Sequence, residues 1–367
     1  MVRTPLPEDG DRESARPDSR NCHHPNVRAL VIALAVFMLS PALARAAGET
    51  SIFYYPWWGT PQRDGKYLHW NKNGRLPPQD LASTFYPSRG PYSSRDWKVL
   101  SQHMSEIARA RVDEVVSSWW GLGSPEADRL PTLMRAAWKH GLDVAVHLEP
   151  YEKWLRTRAI VEADFRYLRE LGVGRVYVYY PFDGLIADAA WLELSAQFPS
   201  IELYAQTGDA GRAAAAGFDG VYTYDVYAVR GGAFAGFCAR ATKAGIACAP
   251  SVGPGYNASR ATPDQRVRSR RAGKTYDGMW RAAIAAQPDR ITITSYNEWH
   301  EGTQIEAARR RPENVYGSYE SYEGAYGRTG KLAERAYLVR TAYWTKTYRV
   351  AAAVTDALRQ ARAFLSG

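Results

Sequence analysis

The chain has 367 residues, 46% of them hydrophobic and 13% aromatic, which is enough to bury a large core in one barrel-sized domain or two smaller ones. Its formal charge is +9 at pH 7. Many of the basic residues, such as Arg266, Arg268, Arg270 and Arg271 or Arg309 to Arg311, are expected on helices as an ordinary solvated surface; no nucleic-acid module accompanies them, so no nucleic-acid partner is expected.

The first 46 residues differ from the rest. A polar N-terminal extension leads to Arg28, an apolar run from Ala29 to Leu39, Ser40-Pro41, and the small-residue site Ala44-Arg45-Ala46. This pattern predicts a secretory signal cleaved near Ala46, with an apolar run too short to span a bilayer. Cys22 precedes that run instead of following it, which argues against a lipoprotein. No later segment approaches the roughly 18 apolar residues of a membrane span. The mature chain is therefore expected to be exported to the periplasm or medium, without stable membrane insertion, and monomeric. Removing residues 1–46 leaves 41 basic residues against 33 acidic ones.

From residue 47 onward, apolar β-branched runs recur with room for a helix between them. They predict strands at 52–57, 114–119, 143–149, 175–180, 201–206, 220–224, 246–252 and 291–296. Helical patterns fall at 95–110, 130–140, 159–171, 187–198, 233–244 and 273–286, with a weakly helical linker at 208–216 and one or two closing helices at 332–365. Eight alternating units over roughly 300 residues predict an α/β fold, a single (β/α)8 TIM barrel. A doubly wound open sheet is the rival, but it lacks a Gly-rich phosphate loop after the first strand. Cys238 falls on a predicted helix and Cys248 on the next strand. Two buried free thiols are the expected state, and a disulfide is the alternative that export permits.

In such a barrel the C-terminal strand ends converge on one site. Here those ends read Tyr54-Tyr55-Pro56-Trp57-Trp58, Ser118-Trp119-Trp120, His147-Leu148-Glu149-Pro150-Tyr151, Tyr179-Tyr180, Tyr222-Thr223-Tyr224-Asp225 and Asn297-Glu298-Trp299-His300-Glu301. Glu149, Glu298 and Glu301 would share a cleft rimmed by Trp and Tyr. Paired carboxylates in an aromatic cleft suit glycoside hydrolysis, one protonating the leaving oxygen while the other handles the nucleophile. Helix capping is the ordinary alternative for such glutamates, and rim packing for the tryptophans. Asn297, His300 and Glu301 could also be read as metal ligands, but the spacing of a metal motif is missing. A Gly-x-Ser-x-Gly elbow is also absent.

Residues 51 to 308 resemble glycoside hydrolase family 99, the retaining endo-α-mannosidases and endo-α-1,2-mannanases. The matching blocks run in family order: Tyr54-Tyr-Pro-Trp-Trp-Gly59, Lys66-Tyr-Leu-His-Trp-Asn71, Phe85-Tyr-Pro87, Gly90-Pro-Tyr-Ser-Ser-Arg-Asp96, Ser118-Trp-Trp120, His147-Leu-Glu-Pro-Tyr151, Phe218-Asp-Gly-Val-Tyr-Thr-Tyr224, Pro250-Ser-Val-Gly-Pro-Gly-Tyr256 and Ser295-Tyr-Asn-Glu-Trp-His-Glu-Gly-Thr-Gln-Ile-Glu306.

The resemblance implies a (β/α)8 barrel, no metal and no organic cofactor, and catalysis by Glu298 and Glu301. In the family, the residue matching Glu298 acts as base on the substrate's own 2-hydroxyl, which attacks C1 to form a 1,2-anhydro sugar. The residue matching Glu301 protonates the leaving glycoside and then activates water. Sugar contacts are implied for Tyr54 or Tyr55, Trp120, Glu149, Tyr222 or Tyr224, and Arg270. Trp58, His69, His147, Tyr151, Asn297 and His300, in the same blocks, complete the expected substrate-binding set. The expected substrate is α-mannan or a mannose-rich oligosaccharide. Another α-linked polysaccharide, or glycan binding without turnover, is the alternative. Three departures concern the outer subsites: a shorter loop from Asp225 to Ala233, Tyr179-Tyr180-Pro181-Phe182 at the fourth strand end, and Ala307 in place of a common proline.

Overall fold

The structure is a computed structural model and describes residues 48–151 and 156–366. The expected export signal lies outside the described residues.

The strands are β1 (Glu49–Tyr54), β2 (Glu114–Trp119), β3 (Asp143–Leu148), β4 (Arg175–Val178), β5 (Glu202–Gln206), β6 (Gly220–Tyr222), β7 in two halves (Ala247–Ala249 and Ser251–Val252) and β8 (Arg290–Ile293). All pairings among them are parallel, and neighbours in sequence are neighbours in space. The first half of β7 pairs with β6, placing Cys248 opposite Val221, and the second half pairs with β8, placing Val252 opposite Ile293. Pro250 separates the halves because it has no N–H to give the ladder, although its carbonyl still accepts the Thr292 N–H at 3.1 Å. β8 returns to β1 with Ile291 opposite Thr50, so eight strands close a barrel, as expected.

Nine helices are named here: α1 (Trp97–Arg109), α2 (Pro125–Lys139), α3 (Arg158–Glu170), α4 (Asp188–Gln197), α5 (Ala210–Ala215), α6 (Phe234–Ala244), α7 (Lys274–Ala285), α8 (Gly330–Glu334) and α9 (Ala336–Ser366). α2 begins five residues before the expected 130. Its Ser124 hydroxyl accepts the Ala127 N–H at 3.1 Å and Pro125 sits in the first turn, both standard starts, whereas Pro131 in the interior obscures the pattern. Several strands stop short of their expected ends because a residue there turns left-handed. Tyr180 (φ 47°) ends the β4 run and Tyr224 (φ 51°) the β6 run, and the Tyr224 N–H goes to the Ser251 hydroxyl at 2.8 Å instead of to the ladder.

Strand alternation sorts the core into two layers. Phe53, Tyr55, Val116, Ala145, Tyr177, Tyr204, Tyr222, Tyr224 and Ala249 fill the lumen. Ile52, Tyr54, Val115, Val146 and their counterparts face the helices. The N-terminal end of the lumen is closed by a buried ion cluster in which Glu114 pairs with Arg175 and Arg290 and accepts the Ser51 hydroxyl at 2.7 Å. Burial opposes ionisation of Glu114, but Arg290 and Arg175 outweigh it and hold the carboxyl below its ordinary range. α9 packs its Tyr337, Thr341, Trp344, Thr345 and Tyr348 face on the barrel, with Thr345 donating to the Ala110 carbonyl at 2.9 Å.

Two expectations are corrected. Cys238 and Cys248 are joined in a disulfide and are not free thiols. α6 folds back over the strand that follows it, bringing positions 10 apart in sequence to a Cα separation of 5.2 Å. The basic runs 266–270 and 309–311, expected on helices, are not helical, and Arg271 only opens the 3-10 turn Arg271–Gly273. Arg268 lies in a two-residue antiparallel ribbon with Tyr256, and Arg270 is buried. Among the described residues, no helix is long and apolar enough to cross a membrane.

Candidate active site

The C-terminal end of the lumen is built from the strand ends upward. From β1, Tyr55 points inward and its hydroxyl meets that of Tyr224, which comes from the end of β6. Tyr54 points outward instead, where its hydroxyl donates to His103 Nδ1 at 2.9 Å on α1. Across the mouth, β2 and β3 supply a connected chain. Trp120 Nε1 donates to Ser118 Oγ at 3.1 Å, Ser118 Oγ donates to Glu149 Oε1 at 2.8 Å, and His147 Nδ1 lies 3.1 Å from the same oxygen. His147 Nε2 is 2.9 Å from the Tyr222 hydroxyl, so the chain reaches β6.

After β8 the backbone leaves the ladder and turns through 297–302. The Asn297 amide fastens this segment to β1: its Oδ1 accepts the Tyr55 N–H at 2.7 Å and its Nδ2 donates to the Tyr55 carbonyl at 2.9 Å. Asn257 N–H donates to the Glu301 carbonyl at 2.7 Å. Gly302 follows with φ 65°, and a Cβ there would lie 2.9 Å from the Asn257 carbonyl oxygen, so the turn needs glycine. Arg270 braces the loop from behind. Its Nη2 donates to the Gly302 and Gln304 carbonyls at 2.8 and 2.7 Å, and its guanidinium lies against the rings of Phe85, Tyr322 and Tyr337.

The loop places Glu298 in the buried wall and Glu301 at the partly exposed mouth. Glu298 Oε1 accepts the His300 N–H at 2.9 Å, a hydrogen bond that favours the ionised carboxylate. Burial and the charge of Glu301 nevertheless push Glu298 well above the carboxylate range. Burial, followed by Asp225 and Glu149, pushes Glu301 up to about 7. His300 Nε2 donates to the His69 carbonyl at 2.9 Å, which leaves Nδ1 as the bare nitrogen of a neutral ring. Burial holds His300 down to about 3 and His69 down to about 4, so neither serves as an acid at neutral pH. The 3.6 Å approach of His300 Nδ1 to Glu298 is accordingly not an ion pair. His69 stacks on Trp57 with ring centroids 4.8 Å apart and an interplanar angle of 2°, and Trp57 leans on Tyr55 at 4.6 Å, forming an aromatic wall beside the two glutamates.

The expected set therefore divides. Tyr55, Trp120, His147, Glu149, Tyr222, Tyr224, Glu298, His300, His69 and Glu301 gather at the mouth or in the lumen directly beneath it. Tyr54 and Arg270 lie behind the sheet and loop, and Asn297 is committed to the Tyr55 backbone. Trp58 is fully buried against Trp70, with centroids 4.0 Å apart. Tyr151 donates to Asp164 Oδ2 at 2.6 Å and lines a side hollow of about 590 Å³ together with Trp120 and Glu126. The expected substrate-binding set left out Trp57, Asp225, Lys72 and Ser118, although the first two and Ser118 stand at the strand ends quoted above. Ser118 and Trp57 stand inside quoted motifs at inward positions of the strand ends, so alternation carried a signal for them. Lys72, whose positive charge acts on both glutamates, follows a motif but opens a short 3-10 turn away from the strand ends and carried none.

A closed (β/α)8 barrel with two raised carboxylates at an aromatic-lined C-terminal mouth defines a glycoside hydrolase. The model of "Glycosyl hydrolase family 99" matches residues 47–172 and 193–350. The chain is similar to the glycoprotein endo-alpha-1,2-mannosidase-like protein of Danio rerio, at 34% identity over 337 residues and 75% of each chain. It is 32% identical over 357 residues to the glycoprotein endo-alpha-1,2-mannosidase of Rattus norvegicus, covering 81% of this chain and 74% of the relative. Among solved structures, the family 99 endo-alpha-mannosidase of Bacteroides thetaiotaomicron superposes with a TM-score of 0.74 at 30% identity, covering 83% of this chain and 98% of that one. The chain belongs to glycoside hydrolase family 99.

Proposed function

We propose that the enzyme is exported and cleaves internal α-mannosidic bonds of α-mannan or mannose-rich oligosaccharides with net retention, through a 1,2-anhydro sugar. Glu298 takes the proton of the 2-hydroxyl as O2 attacks C1, and the C1–O glycosidic bond breaks as Glu301 delivers its proton to the leaving oxygen. Glu301, now a carboxylate, then takes a proton from water. That water attacks C1, the three-membered ring opens, and O2 recovers its proton from Glu298. Both carboxylates thus end as they began.

The contrast between the two carboxylate environments carries this reading. Of the acids around the mouth, Glu149 is engaged by Ser118 and His147, Asp264 by Arg266 and Tyr256, and Asp225 by the N–H groups of Tyr227 and Ala228. When Glu301 holds the proton, its charge no longer raises Glu298, and the His300 N–H then favours the negative charge on Glu298, as the base requires. Glu301, beside Asp225, Glu149 and Asp264, is suited to hold the proton until the leaving oxygen takes it. Because neither group bonds to C1, one short loop is able to supply both. Trp57, Trp120, Tyr55 and Tyr224 offer ring faces and hydroxyls to the sugars, and Glu149 a carboxylate. Export is supported by the signal-like pattern of residues 1–46 and by the Cys238–Cys248 disulfide.

The deciding experiment incubates the enzyme with yeast α-mannan and with glucosylated high-mannose oligosaccharides and sizes the products. Release of a disaccharide is the expected result. No product from either substrate would overturn the mannoside assignment in favour of another α-linked polysaccharide.

A further inference from the structure

Outside the mouth, a second cluster of buried ionisable groups lies between the 297–306 loop and α1. At its centre is Glu306, fully buried. Its carboxylate accepts Tyr92 Oη at 2.7 Å, Arg89 Nε at 2.9 Å, Trp299 Nε1 at 3.0 Å and His103 Nε2 at 3.1 Å. His103 thereby presents its bare Nδ1 to the Tyr54 hydroxyl on β1. The Tyr92 hydroxyl also receives Asn297 Nδ2 at 3.3 Å and Trp299 Nε1 at 3.2 Å. Glu106, held by Arg335 and by the Tyr296 hydroxyl, completes the charged surroundings.

These contacts reach the start and the middle of the segment that carries the acids. Trp299 stands between Glu298 and His300, and Asn297 ties the same segment to Tyr55. We infer that Glu306 is a positioning residue for the hydrolytic reaction, which fixes the placement of Glu298 and Glu301 by anchoring Trp299 directly and Asn297 through Tyr92. The inference rests on the assignment of Glu298 and Glu301 as the reacting carboxylates.

The test compares full-length Glu306→Gln and Tyr92→Phe with the wild-type enzyme on a mannoside that the wild type cleaves. Folding is monitored by Tm, and kcat, KM and the pH–rate profile are measured. Glu306→Gln loses the charge that gathers four donors, and kcat is expected to fall about 100-fold, the effect of an ångström-scale misplacement. KM should stay within about twofold, and the pH profile should shift as the two carboxylates move relative to each other. Tyr92→Phe keeps the ring and is expected to lower kcat about tenfold, a partial version of the same displacement. A purely structural role lowers Tm and leaves kcat, KM and the pH profile of the folded protein unchanged. That result for both variants overturns the inference, and so does a change confined to KM. If Glu306→Gln does not fold, Tyr92→Phe decides alone. Retained activity in Glu298→Gln or Glu301→Gln sinks the acid assignment itself, whereas loss there with wild-type kcat in the Glu306 and Tyr92 variants removes only the positioning role.

Discussion

At the scale of residues, the two glutamates make separable demands on a substrate. If Glu301 is the proton donor proposed above, Glu301→Gln lowers hydrolysis of unactivated mannosides by about 10²-fold or more, while substrates with good leaving groups lose much less because they depart without a proton. Equal loss on both substrate classes contradicts its role as acid. Glu298→Gln should remove turnover on both classes and leave glycan binding intact, since the 2-hydroxyl can no longer be deprotonated. Kinetics on an aryl and an alkyl mannoside, with calorimetric binding, check both variants. Most of the mouth was legible from sequence because strand-end motifs carry its residues. What alternation hides is direction: Tyr54 and Tyr55 are equivalent as letters, and only the register of β1 turns one into the lumen and the other onto α1. Arg270 was misplaced for a related reason. A buried arginine that the family resemblance assigns to the sugar reads as a ligand contact, yet its guanidinium serves the Gly302 and Gln304 carbonyls.

Among the elements, β7 and α6 form the unit that departs furthest from expectation. Their disulfide closes a short loop, which by chain entropy restricts the unfolded state by about 2–3 kcal/mol. The double variant Cys238→Ser/Cys248→Ser is expected to unfold in urea at that much lower free energy with catalysis nearly unchanged. Before that, thiol titration of the denatured, unreduced mature protein should find neither cysteine free. Strands and helices were readable because buried parallel strands appear as continuous apolar runs and the helices carry their own caps. The pairing of cysteines was not readable, since it depends on how closely α6 returns across β7. The true start of α2 was obscured by Pro131, which breaks the helical pattern without breaking the helix.

For the molecule as a whole, the site has a consequence for stability. Glu301 ionises near 7 in the folded chain against an ordinary value of 4.5, so the folded state binds more protons than the unfolded state between those limits. This group therefore disfavours folding progressively as pH rises through that window, by about 1–3 kcal/mol once it is fully ionised. Buried His69, His103 and His300, held below their ordinary values, act in the opposite sense below about pH 6.5. A difference measurement reports this carboxyl together with the charge it places on Glu298. The Tm of Glu301→Gln minus that of wild type should grow from pH 4.5 to pH 8, and a flat difference would show that the carboxyl is not held protonated.

Barrels breathe by small shifts between neighbouring strands. An enzyme that takes its two reacting groups from opposite sides of the ring feels every such shift as an error in their separation. Here Glu298 and Glu301 belong to one piece, the 297–302 loop, tied to β1 through the Asn297 carboxamide and to the segment after β7 through the Asn257 N–H and Arg270. Because one short loop carries both groups, a shift between neighbouring strands is expected to change their distance to the sugar more than their distance to each other.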